Sequence, residues 1–299
     1  MSGSILSAAL TAQWIFMSAA VIVFNKYILS GDTNWPFPLA LTVSHMTVGS
    51  ICSWALLLSG LVPGRGSVSP RDFATSILPI AGLFAVVLWL GNAAYLYLSV
   101  AFIQMTKAVM PAAVFLVGVC AGLEVYSDAK LRILLLICAG VVIASTGELD
   151  DRFQLFGFLI QLAACVAEAV RLALVQVLLQ RRGLKLNAVA TVAYVAPASL
   201  CFLLPFFFAN EWSLLATWPH RIGSGVLLLN CFAAFGLNLS VFLLVGRTSA
   251  LTMNLGGIVK DWLLILLSWA WMGAAISGIT MAGYLVAFCG LLAFNAATA

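Results

Sequence analysis

The sequence predicts an all-α integral membrane protein, with ten transmembrane helices arranged as two inverted five-helix repeats over residues 1–150 and 151–299 that together make one domain. Three observations carry this expectation. Hydrophobic residues make up 64% of the 299 residues and charged residues only 8%, whereas a soluble domain is nearer half apolar and a quarter charged. Many apolar runs are long enough to cross a bilayer core of about 30 Å, which takes about 20 helical residues. They also lack the two-residue alternation that a strand barrel needs. Lastly, the runs divide five and five. An odd number of spans per half puts the halves in opposite orientations, the inverted-repeat architecture of many transporters.

With glycine, proline and charge as punctuation, spans fall near 8–28, 38–60, 77–98, 101–122, 131–147, 154–180, 188–209, 222–245, 249–272 and 278–297. The first has no basic region ahead of it and its apolar run is too long for a signal-peptide core, so it reads as a retained helix. No Arg- and Ser-rich transit segment precedes it, which points to the endomembrane system, the Golgi ahead of the ER, and away from the plastid envelope. The fourth span carries Lys107 and the sixth carries Glu168 and Arg171. The eighth contains a glycosylation sequon at Asn238 that burial in the bilayer should keep unmodified, and the ninth carries Lys260 and Asp261. Span 4 runs Ala101-Phe-Ile-Gln-Met-Thr-Lys107 and its counterpart span 9 runs from Ala250 to Lys260, so each half places one lysine in its fourth helix.

Orientation follows from the basic residues. One set of alternate loops holds Arg65, Arg71, Lys130, Arg132, Arg181, Arg182, Lys185 and Arg247, and the other holds Lys26, Arg152 and Arg221. Both termini are therefore expected in the cytosol. Three basic residues fall inside the membrane: Lys107, Arg171 and Lys260.

Composition and motifs exclude several classes. The seven cysteines (Cys52, Cys120, Cys138, Cys165, Cys201, Cys231 and Cys289) lie in apolar runs without a Cys-x-x-Cys spacing and read as reduced packing residues. The two histidines, His45 and His220, form no pair at metal-ligand spacing. No nucleophile elbow, phosphate loop or paired intramembrane aspartates occur. An enzyme, a resident metal and a cofactor are not expected, and the net charge of +4 reflects loop placement rather than nucleic-acid binding.

A charge at the bilayer centre costs roughly 2.5–3.5 kcal/mol on insertion scales, so it persists where it faces a partner or a wet cavity. Lys107 and Lys260 could be neutralised by Asp261 or Glu168. Alternatively they converge on an anion site between the halves, where each ammonium contributes about 4 kcal/mol before desolvation at about 4 Å and an effective dielectric near 20. Pro111 lacks the N–H for the Lys107 carbonyl and is expected to free it. Gly256 and Gly257, a turn before Lys260, permit bending or close helix approach. Successive residues project about 100° apart, so Lys260 and Asp261 are not expected to face each other. Asp261 could instead answer Lys107, hold a substrate hydroxyl or act as a gate. Glu168 and Arg171, three apart, are expected to pair on one helix face, with Arg171 alternatively lending positive field to the site. Asn92, Tyr95, Tyr97, Gln104, Asn238 and Asn254 could bind hydroxyls or a base, or bind helices together.

Several of these residues also form a pattern. Phe24-Asn-Lys-Tyr-Ile28, the lead from Ser99 to Gln104 before Lys107, Gly147-Glu148, Glu168-Ala-x-Arg171, and Thr248-Ser-Ala-Leu-Thr252 before Gly-Gly-x-x-Lys260 occur in order along the chain. They resemble the triose-phosphate translocator and nucleotide-sugar transporter family of the drug/metabolite transporter superfamily, and in particular its plant-type probable sugar phosphate/phosphate translocator branch with Lys-Asp in the ninth helix. The resemblance implies an antiporter of phosphorylated sugars or nucleotide sugars, with the organic phosphate bound between the halves by Lys107 and Lys260. Homodimerisation in the bilayer is compatible with it. It also implies departures. Asp261 stands where plastid phosphate translocators have an arginine, Leu88 where they have a third-helix histidine, and Leu237 where they have an eighth-helix tyrosine, although Asn238 is kept. These departures argue against classic exchange of triose phosphate for phosphate, and a nucleotide sugar or another organic anion is the expected substrate. The competing expectations are a proton-coupled or facilitative permease using Asp261 or Glu168, and a non-transporting scaffold with closed charge pairs.

Overall fold

A computed structural model describes residues 2–29, 33, 35–62, 68–146, 155–182, 186–218, 222–245, 250–274 and 276–298, with side chains described except at 2–7, 175–182, 188, 241–245, 250–256, 258, 295, 297 and 298. The helices are α1 (Ser2–Leu29), α2 (Pro38–Leu58), α3 (Pro70–Tyr97), α4 (Val100–Cys120), α5 (Asp128–Thr146), α6 (Leu155–Arg182), α7 (Ala188–Asn210), α8 (Ser224–Val245), α9 (Ala250–Ala270) and α10 (Gly278–Thr298). A short connecting helix, Trp212–Thr217, follows α7 and was not anticipated. Among the described residues there is no strand. Seven helices, α1 to α7, are long and apolar enough to cross a membrane by the residues described, so the chain is an all-α membrane protein.

Local chemistry sets the ends. Ser69 accepts from the N–H of Asp72 at 3.1 Å and Pro70 takes the first helical position, so α3 begins seven residues ahead of the predicted 77. The chain widens to a π-turn at Phe73–Ile77, next to Pro79, whose missing N–H breaks the regular bonding pattern. Ser99, Asn187 and Ser277 cap α4, α7 and α10 by accepting from Phe102, Ala190 and Thr280. Phe37 cannot cap α2. Glu211 does so from the end of α7, its carboxylate accepting from the N–H groups of Leu39 at 3.0 Å and Ala40 at 2.7 Å. Gly122 and Gly273, with φ of 68° and 64°, turn the chain out of α4 and α9.

Among the described residues, the principal pairs of helices that are not consecutive in the chain are α5 with α10, α3 with α6, α1 with α8, α2 with α7, α4 with α9, α3 with α7, α2 with α8, α4 with α6 and α1 with α9. Exchanging each of the first five helices with the one five places later maps this set onto itself. At the α5–α10 seam a Cβ added to Gly140 would come within 2.7 Å of the Gly283 carbonyl oxygen, and one added to Gly283 within 2.6 Å of that of Gly140. Only glycine fits this backbone approach, the usual way membrane helices associate without a hydrophobic drive.

One end of the bundle, that of the α1 C-terminus, is densely filled. Ile28, Leu29, Leu39, Leu98, Phe102, Ile103, Leu203 and Leu264 form a buried cluster there, with Trp35, Phe37 and Trp218 stacked edge-on beside it. Lys26 donates to the carbonyls of Tyr95 at 2.7 Å and Leu98 at 3.0 Å, tying α1 to the last turn of α3. Its cation thus meets the negative end of a helix dipole.

Candidate functional site

Lys107 sits on the most enclosed of the seven spanning helices: 61% of the apolar window of α4 is buried, against 22–39% for the others. All seven residues ahead of it, Val100 to Thr106, are buried. It lies about a third of the way along α4. At Lys107–Val109 the helix tightens into a 3₁₀ turn, and the Met110 N–H takes the Lys107 carbonyl that Pro111 cannot reach. The expectation that Pro111 frees this carbonyl is thereby corrected, because the tighter turn satisfies it one residue early. Among the described residues the Lys107 ammonium has no hydrogen bond and no ion pair.

Lys107 lines a cavity of about 380 Å³, walled also by Asn25 of α1, Leu88, Asn92 and Tyr95 of α3, and Gln161 and Glu168 of α6. The volume lies within the range of roughly 300–1,000 Å³ typical of small-molecule sites. Glu168 does not neutralise Lys107. It is held by Arg171, which donates to both carboxylate oxygens at 2.7 and 2.6 Å. The guanidinium of Arg171 also lies 5.3 Å from the Phe84 ring centroid. The predicted i, i+3 pair is therefore present in bidentate form. It leaves Lys107 without an ion-pair partner among the described residues.

Lys260 is arranged differently. Its Nζ lies 3.0 Å from Asp261 Oδ1, which corrects the expectation that adjacent residues on a helix cannot meet. The four-carbon lysine stem is long enough to swing across the angle between them. The contact is ionic without hydrogen-bond alignment, since Asp261 Oδ1 has no hydrogen-bond partner. Lys260 is not among the residues walling the Lys107 cavity. The helices that carry the two lysines, α4 and α9, nonetheless pack against each other.

The remaining predicted residues separate. Gln104, 1% exposed and one turn before Lys107, has neither amide atom bonded. Tyr97 packs edge-on against Phe156 at 5.3 Å, and it is Tyr95 that reaches the cavity. Asn238 donates to the Ala234 carbonyl of its own helix at 3.0 Å. The side chain of Asn254 and the surroundings of Gly256 lie outside the described residues. At Gly257 an added Cβ would meet only Trp14, at 4.0 Å, so no close helix approach occurs there. The sequence reading missed Asn25 and Gln161 as site residues. A lone amide in an apolar run was the available signal in both cases.

Behind the cavity a buried amide chain joins four helices. Asn230 donates to Asn25 at 2.9 Å, Asn25 to Asn92 at 3.1 Å and Asn92 to Thr42 at 2.9 Å, while His45 Nε2 also bonds Asn230. Polar groups so completely engaged rigidify their surroundings. They tie α1, α2 and α3 to α8 on the filled side of the cavity.

The model of the triose-phosphate transporter family matches residues 6–295. The chain belongs to this family. Three Arabidopsis thaliana proteins, each named a probable sugar phosphate/phosphate translocator, are 43%, 41% and 32% identical to it. The alignments cover 97%, 94% and 99% of this chain and 83%, 84% and 96% of theirs. A solved crystal structure of a protein shares the fold, with a TM-score of 0.58 and 19% identity over 98% of this chain and 97% of that one. Membership makes the chain a multi-pass membrane transporter rather than an enzyme. Leu88, where the sequence resemblance puts a histidine in plastid relatives, is on the cavity wall and makes that one position of it apolar.

Proposed function

We propose that this transporter exchanges a phosphorylated sugar for inorganic phosphate or another phosphate-bearing anion by alternating access, with Lys107 as the anchor of the phosphate. The observation that carries this reading is a lysine that lines a cavity inside an apolar bundle and has no hydrogen bond or ion pair among the described residues. Such a group is costly without a ligand. The relatives' names support the substrate class, and a cavity of about 380 Å³ at the low end of the usual range favours a sugar phosphate over a nucleotide sugar.

We also infer that α8, α9 and α10 cross the membrane, giving ten spans in two inverted repeats, 1–150 and 151–299. The self-mapping helix pairs support this. With Arg71, Lys130, Arg132, Arg181 and Arg182 at one face, the termini lie in the cytosol. The filled end is then the luminal gate, and substrate enters from the cytosol. The Golgi is the endomembrane compartment to test first. Exchange rather than leak follows if an empty cavity holding the bare Lys107 charge closes poorly, so that only the anion-filled form reorients.

Reconstitution in liposomes tests the reading. Uptake of labelled sugar phosphate is expected to require phosphate inside the vesicle. Equal uptake into empty vesicles, or uptake driven by a pH gradient alone, would favour the permease reading instead.

A further inference from the structure

We propose that Gln161 is a substrate-binding residue whose side-chain carbonyl accepts from a hydroxyl of the sugar, setting the preference for phosphorylated sugars over inorganic phosphate. The inference rests on the exchange reading above and names the part of the substrate which that reading leaves unread.

Gln161 lies on the second turn of α6, is 1% exposed and lines the cavity that Lys107 also lines. Its Nε2 contacts Cys165 Sγ of its own helix at 3.6 Å, while Oε1 has no partner. Buried polar atoms are nearly always bonded, and exceptions call for a reason. Here the exceptions are not scattered. Among the described residues, the buried side-chain atoms without a hydrogen bond belong to Gln104, Gln161 and Asp261. Gln104 precedes Lys107 by three residues and Asp261 follows Lys260.

The alternative role of a membrane glutamine is to bond a neighbouring helix. Gln161 does not do so, since its one polar contact is one turn along α6. Asn92, across the cavity, makes the contrast plain: its oxygen and its amide are both engaged in the buried chain, so it serves as wall. The free Gln161 oxygen accepts only. The phosphoryl group of a sugar phosphate dianion offers acceptors only and leaves it unsatisfied, whereas a sugar hydroxyl offers an O–H. Inorganic phosphate keeps one P–OH but has no carbon skeleton to carry a donor from Lys107 on α4 across to α6. With Lys107 holding phosphate from α4 and Gln161 meeting a hydroxyl from α6, the substrate bridges the two helices.

The test uses the full chain in liposomes, with the best exchanger among dihydroxyacetone phosphate, xylulose 5-phosphate and glucose 6-phosphate as probe. In Gln161→Leu, kcat/KM for the sugar phosphate relative to that for inorganic phosphate is expected to fall about tenfold, the order of the net contribution of one hydrogen bond. One singly deoxygenated analogue should lose a similar factor in the wild type and nothing further in Gln161→Leu. An unchanged ratio in the variant overturns the proposal. If Gln161→Leu does not fold, the deoxy series on the wild type decides, and equal kcat/KM for every analogue overturns it. A separate outcome marks failure of the exchange reading itself: none of the three probes exchanges, or Lys107→Ala exchanges them all at the wild-type rate.

Discussion

Lys107 of α4 and Lys260 of α9 stand on helices that pack against each other, and the bundle treats them oppositely. Lys107 stands at a 3₁₀ turn forced by a proline, walls a cavity and has no counter-charge among the described residues. Lys260 lies in an uninterrupted helix and carries its own counter-charge on the next residue. What matters in a buried cation is therefore less its presence than whether the protein has already answered it. An unanswered charge draws an anion from solution. An answered one must first give up its partner, and so contributes less to binding.

The sharpest way to break this comparison is to remove each charge in turn. Lys107→Ala is expected to reduce exchange at least about 100-fold, in line with about 4 kcal/mol for one close charge contact less its desolvation, while the purified protein keeps its thermal unfolding profile. Wild-type exchange in this variant would dissolve the distinction. Lys260→Ala should cost less, about tenfold in kcat/KM, because its charge is already spent on Asp261. A loss equal to that at position 107 would make the lysines equivalent. Asp261→Asn should act in the other direction, unmasking Lys260 and lowering KM for inorganic phosphate about threefold, a shift of under 1 kcal/mol. A raised KM would instead assign Asp261 to the substrate. The smallest effect is expected at Pro111→Ala, which restores the N–H that regular helix bonding needs. Straightening the turn should change the exchange rate about twofold by re-aiming Lys107, read against unchanged expression and unfolding temperature.

Much of this arrangement was legible in the sequence. The helix ends lie mostly within a few residues of expectation because proline, glycine and serine set them locally, as at Ser99 and Gly122. The Glu168–Arg171 pair follows from a three-residue spacing that helix geometry turns into contact. The Lys260–Asp261 pair was misjudged because the 100° rule speaks of Cβ directions, and a lysine stem reaches well beyond its Cβ. Tyr95 and Tyr97 were both candidates and only Tyr95 lines the cavity, since two residues along a helix project to nearly opposite sides and no pattern in so apolar a span tells which side is wet. Gln161 gave still less signal. Its significance lies in what its amide lacks, and a missing partner is visible only once the neighbours are in place.

Gly140 and Gly283 bring the backbones of α5 and α10 together with nothing between them that could slide or repack. Under the alternating access proposed above, that pair is suited to act as a fixed spindle. A covalent staple placed along it should leave turnover running, which offers an anchoring point for optical reporters that follow the rest of the bundle through its cycle.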